Sequence, residues 1–178
     1  MYKSPTRGAW MKIKISKIIL QRNVDITIDG INCTFENIKK VIDIFNIKHI
    51  ILTIDSLSKS SSVFLVLNDL GLNYILSSNN SEIVEATVLV PSELIYLVLE
   101  EAIKEDPENL FISNLIDIEI WKDLFTESPQ TLLESGYSDL TVIVSRDRQS
   151  IFLSFIKTRY NFNDVLNKIK EIYHNKGF

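Results

Sequence analysis

Residues 48–78 constrain the fold more than any other stretch. They read KHIILTID, SLSKSSS, VFLVLNDLG and LNYILSS. An apolar run of strand length ends at Asp55. A serine-rich turn leads into a short segment that is apolar on nearly every side, Gly71 stops it, and a second apolar run follows at once. The pattern predicts strand, helix, strand, with a helix apolar all round and therefore buried. A β-α-β unit of this kind brings parallel pairing into a sheet.

The flanks supply the other elements. Residues 12–20 suit a strand. Val24, Ile26 and Ile28 then alternate with Asp25, Thr27 and Asp29. Asp29-Gly30 is a favoured type I′ turn pair, so a hairpin is expected over residues 26–33. Thr34 is placed to cap a helix on which Ile38, Val41, Ile42 and Phe45 share one face. A strand over residues 82–90 ends at Pro91, Ser92 caps the next helix, and Asp106-Pro107 ends it. Residues 110–112 form a short buried strand. Asp117 opens a helix carrying Trp121 and Phe125, and a further short helix starts at Ser128-Pro129 and closes at Gly136. SDLTVIV and SIFLSFI flank the tip Arg146-Asp147-Arg148-Gln149 as an antiparallel hairpin, and Asn163 caps a final helix.

The sum is a mixed α/β (α+β) chain: about seven strands in a mixed parallel and antiparallel sheet with helices packed on it. No internal repeat of solenoid period is visible. Residues 1–10 read as a flexible leader, with Met11 as an alternative start. Residues 11–178 read as a single domain.

Composition narrows the chemistry. Hydrophobic residues are 46% and charged residues 24%, which argues against wholesale disorder. Cys33 is the single cysteine, so neither an intrachain disulfide nor a cysteine zinc site can be built. It stands in an alternating run and reads as a small buried hydrophobe. Only His49 and His174 are available as histidine ligands, and no D-x-D or H-E-x-x-H pattern occurs, so neither metal nor cofactor is expected. No G-x-S-x-G elbow marks a hydrolase. No apolar run approaches the roughly 20 residues of a membrane span, and no signal peptide is evident, so a bacterial cytoplasmic protein is expected.

Charge is segregated. Residues 82–135 carry 13 acidic side chains against 2 basic ones, whereas residues 1–81 carry 10 basic against 6 acidic. An acidic surface of this kind steers basic partners. The first functional expectation is therefore a non-catalytic protein-binding module of the type represented by immunity and antitoxin proteins. Glu93, Glu100, Glu101, Glu105 and Asp123 would form the contact, with Trp121 as an apolar anchor.

The second expectation is a phosphate-ligand or phosphoryl-transfer site in the loop from Asp55 to Ser62. A carboxylate, several hydroxyls and a lysine at a strand end before a helix are suited to phosphate. Asp55 and Lys59 would be the catalytic pair, and Ser58, Lys59, Ser60 and Ser61 the phosphate contacts. A structural homo-oligomer is the third. Basic residues on the last hairpin and helix favour nucleic acid, but a sequence pI of about 5.2 argues against it.

Overall fold

The computed structural model describes residues 13–45, 47, 49–77, 82–116 and 129–174. The strands are β1 (Lys14–Ile19), β2 (Asn23–Asp29), β3 (His49–Ser58), β4 (Tyr74–Ser77), β5 (Ile83–Pro91), β6 (Leu110–Leu115), β7 (Ser138–Val144) and β8 (Ser150–Ile156). The helices are α1 (Phe35–Ile42), α2 (Ser62–Asp69), α3 (Ile95–Lys104), α4 (Pro129–Glu134) and α5 (Phe162–His174). No helix among the described residues is long and apolar enough to cross a membrane. The expected helix at 117–125, with Trp121 and Asp123, and the leader at 1–10 lie outside the described residues.

Among the described residues, eight strands form one sheet in the order β1-β2-β8-β7-β6-β3-β5-β4, and every neighbouring pair is antiparallel. The expected mixed sheet of seven strands is corrected on both counts. The β3-α2-β4 stretch is a strand–helix–strand passage, and β3 and β4 do run the same way. β5 lies between them, however, and pairs antiparallel with each.

The same split β-α-β arrangement occurs twice. In the order β3-α2-β4-β5-α3-β6, the strands line up spatially as fourth, first, third, second: β6-β3-β5-β4. The other half, β1-β2-β8-β7, repeats that order with β2-α1-β7-β8-α5 as the chain path and β1 in the fourth place. One unit is thus inserted between α1 and β7 of the other. β6 and β7 form the seam between them.

Alternation along the strands explains where the core sits. Val24, Ile26 and Ile28 of β2, Ile50, Leu52 and Ile54 of β3, and Leu140, Val142 and Val144 of β7 join one buried cluster. That cluster also takes Val41 and Ile42 of α1, Leu67 of α2, Leu99 of α3 and Ile169 of α5, so four helices cover one sheet face. α4 packs on the opposite face, where Leu132, Leu133, Ile51 and Leu115 are buried outside that cluster. Each such buried side chain contributes about 1.5–3 kcal/mol through removal from water.

Caps follow the local sequence in some places and not in others. The Thr34 hydroxyl accepts the Asn37 N–H at 3.3 Å, as expected for α1. Gly71 and Gly136 adopt φ of +68° and +80° after α2 and α4, the left-handed ending that glycine permits. The α5 cap is Asn161, whose side chain accepts the Asp164 N–H at 3.0 Å, and not Asn163. Ser92 begins a short 3-10 turn and bonds to Glu93 instead of capping α3.

The expected hairpin over residues 26–33 does not form. β2 turns back on β1, and the N–H groups of Gly30, Ile31 and Cys33 donate to the carbonyls of Gln149 and Arg148. The Asp29-Gly30 pair thus leads β2 past the tip of the β7-β8 hairpin and on to α1. α2 is also not buried all round. Val63 and Leu67 are, whereas Leu65 is 67% exposed.

Candidate functional site

The sheet face that carries α4 holds a groove of about 530 Å³, and its floor can be read from strand register. One row crosses four strands as Ile18, Asp25, Ser154 and Thr141. The next row on the same face crosses as Thr27, Phe152 and Ile143. Leu133 and Glu134 of α4 form a wall, and Arg22 and Ile156 lie at the rim. The first row is polar at its centre, and the second is apolar at Phe152 and Ile143.

The polar row is locked by a triangle of hydrogen bonds. Asn23 Nδ2 donates to Asp25 Oδ1 at 2.8 Å and to Ser154 Oγ at 2.9 Å, and Ser154 Oγ donates to the same Asp25 oxygen at 2.6 Å. The carboxylate is half-buried and held in one orientation. Among the described residues, no hydrogen bond reaches its other oxygen, Oδ2. The Arg22 guanidinium donates to the Glu134 carbonyl at 3.4 Å. Large apolar side chains stay open to solvent beside this cluster, with Ile18 at 60% and Phe152 at 40% exposed.

The residues singled out in the sequence go elsewhere. β3 continues through Asp55 to Ser58, with a bulge between Ile54 and Leu57 and Ser56 at φ 63°, so half of the expected loop is strand. Asp55 accepts from Asn109 Nδ2 at 2.9 Å, and Ser56 donates to Glu108. Ser58 bonds to Ser60, and Lys59 is exposed. Ser61 caps α2 and donates to Glu105 Oε1 at 2.5 Å. Glu105 also accepts the Ser62 N–H at 2.9 Å, and Glu101 accepts the Ser62 hydroxyl at 2.9 Å. Two carboxylates thus occupy the helix terminus that a phosphate would use.

The acidic set divides accordingly. Glu101 and Glu105 bind inward to α2. Glu93 is exposed, and Glu100 pairs with Lys104 at 3.9 Å on the surface. The arginines of the 145–149 tip are also engaged: Arg146 with Glu108, and Arg148 with Asp106 and the Pro107 carbonyl. Cys33 is buried, and burial pushes its thiol up to about 11. Burial first, and then the charge of Asp55, raises the Glu85 carboxyl above its ordinary value. Among the described residues no group of three or more His, Cys, Asp or Glu is arranged to hold a metal.

No family model matches this chain, and no curated protein matches it. Among solved structures, the ligand-free regulatory subunit of aspartate kinase from Thermus thermophilus aligns over 69% of this chain and 93% of its own. The identity is 12% and the TM-score 0.28. A structure of aspartokinase alpha and beta subunits aligns over 71% and 93%, with 10% identity and a TM-score of 0.25. Clostridium acetobutylicum aspartate kinase aligns over 70% of this chain and 33% of its own, with 11% identity and a TM-score of 0.23. The likeness is weak throughout.

Proposed function

We propose that this protein is a small-ligand-binding module whose site is the groove beside α4. One observation carries the reading: a concave sheet face that pairs exposed apolar side chains with a carboxylate fixed in place by two neighbours. Its volume lies within the roughly 300–1,000 Å³ of ordinary small-molecule sites, which combine an apolar lining with a few fixed polar groups. The floor is built from four strands, so it is rigid before any ligand arrives.

The test is a fragment screen by protein-observed NMR. Hits are expected to move the resonances of Ser154, Ile143 and Phe152. Phe152→Ala should weaken them about five- to tenfold, with little loss of stability because the ring is already part-exposed. Hits that cluster elsewhere, or that ignore Phe152→Ala, sink the reading.

A second reading keeps the basic protein partner, in the manner of immunity and antitoxin proteins. Leu65 on α2 and Leu97 on α3 are 67% and 58% exposed, and the exposed Glu93 and Glu100 stand one turn from Leu97 in sequence. An apolar centre with an acidic surround suits a basic surface that offers an apolar anchor. Leu97→Ser combined with Glu100→Lys should reduce capture of a basic partner at least tenfold, read by pull-down at low and high salt. Undiminished capture would rule this surface out.

A further inference from the structure

Taking the groove as a ligand site, we infer that its ligand is a small primary amine carrying an apolar, preferably aromatic, body. The inference rests on how the two rows divide the floor. Asp25 Oδ1 is saturated by Asn23 and Ser154, and Oδ2 receives no hydrogen bond from any described residue. A carboxylate oxygen is an acceptor only, so the group a guest can bring to it is a donor, and a cationic donor gives the stronger bond.

Of the described residues that line the groove, Asp25 places its carboxylate on the floor, whereas Arg22 directs its guanidinium to the Glu134 backbone carbonyl. The charge on the floor is that of Asp25, which favours a positive guest over a negative one there.

The apolar row fixes the rest of the molecule. Thr27 and Phe152 are two residues along their strands from Asp25 and Ser154, and Phe152 is directly opposite Ile143. Phe152 is the diagonal neighbour of Asp25 on the adjacent strand, about 7–8 Å away, a gap that an ammonium group on a two-carbon arm ending in a ring can bridge with the help of the two side chains. With the ammonium on Asp25, that ring lies against Phe152, and Ile143 and Leu133 line the groove beyond it. Offset stacking on Phe152 and the burial of its exposed edge then add to the ion pair. A guest with the opposite charge would place a carboxylate against Asp25 and lose both contributions.

The experiment titrates the isotope-labelled full chain with three probes of one shape: phenethylammonium, 2-phenylethanol and phenylacetate. Phenethylammonium is expected to move the Ser154, Phe152 and Ile143 resonances and to bind about tenfold or more tightly than the other two. Asp25→Asn should reduce its affinity by a similar factor and leave that of 2-phenylethanol unchanged. Three probes that bind equally at the groove, or an indifferent Asp25→Asn, would overturn the amine inference and leave the groove as a ligand site. Probes that leave the groove resonances unmoved would remove both. The comparison of probes on the unaltered chain needs no variant to fold.

Discussion

Asp139→Ala is expected to lower the stability of the protein by roughly 3–4 kcal/mol, the largest effect among single polar replacements at the seam. Asp139 is 3% exposed and stands at a bulge where Leu115 pairs with Ser138 and Asn114 with Leu140. The extra residue has no partner across the strand, so its side chain is re-aimed. It accepts from Asn114 Nδ2 at 2.8 Å, from the Tyr160 hydroxyl at 2.9 Å and from Arg159 Nε at 3.2 Å.

Asn114 belongs to the inserted unit, while Asp139, Arg159 and Tyr160 belong to the interrupted one. The carboxylate therefore ties the two halves together where β6 meets β7. Without it, a buried amide and a phenol lose their acceptor, and among the described residues the Asn114 Oδ1, itself an acceptor, already has no donor. Arg159 is half-exposed and turns to water at little cost.

Burial first, then the charge of Asp139 and the bond to it, raise the Tyr160 phenol, so that phenol stays a donor at any ordinary pH. Urea unfolding measures the effect. The midpoint should fall with the m-value unchanged, and Tm should fall by roughly 6–15 °C. Asp139→Asn, which keeps one acceptor oxygen, should lose less than half as much. A fully stable Asp139→Ala would mean that the seam is held by β6-β7 pairing and apolar packing alone.

How much of this was legible beforehand depends on the range of the interaction. Period-two alternation located β2, apolar runs bounded by turn signals located β5, β7 and β8, and the 3.6 period with Thr34 located α1, because these signals are local. The two-unit order was not legible, since it rests on pairings such as β2 with β8 that join residues more than a hundred positions apart. The Asp29-Gly30 turn shows the limit well. Its dipeptide suits a tight hairpin, yet the backbone donors beyond it were satisfied by Gln149 and Arg148, and that distant partner decided the path.

α2 misled for a related reason. An all-apolar helix is buried when structure surrounds it, but α2 lies near the β4 end of the sheet, beside α3, and leaves Leu65 in solvent. Asp25 was visible as the polar member of an alternating strand. Ser154 carried the same signal on its own strand, whereas Phe152, apolar between Ile151 and Leu153, carried none. Nothing in the sequence brought the two strands together, so the groove could not be anticipated.

Glu105→Lys is expected to cost roughly 2–3 kcal/mol, although Glu105 is exposed on one side. The figure is set below that of a buried pair because solvent screens the site. The carboxylate receives the Ser61 hydroxyl at 2.5 Å and the Ser62 N–H at 2.9 Å, so it joins the end of α3 to the first turn of α2. Lysine leaves those donors without an acceptor and sets a cation against the positive end of the α2 dipole. Glu105→Gln keeps one acceptor oxygen and should cost about 1 kcal/mol.

The bond from Ser61 first, and then the Ser62 N–H, hold the Glu105 carboxyl below its ordinary value of 4.5. A lowered folded value means that the unfolded chain takes up protons first on acidification. The stabilisation is complete above the ordinary value and is lost as pH falls through the folded one. Urea midpoints across that acid window should therefore fall less steeply with decreasing pH in Glu105→Gln than in the unaltered chain. Glu100→Lys, which breaks only a 3.9 Å surface pair with Lys104, should stay within about 0.5 kcal/mol. If the two reversals prove equally harmless, the α2–α3 link is not structural. If they separate as expected, charge-reversal tests of partner binding must use Glu93 and Glu100, because reversing Glu101 or Glu105 perturbs the fold together with the surface.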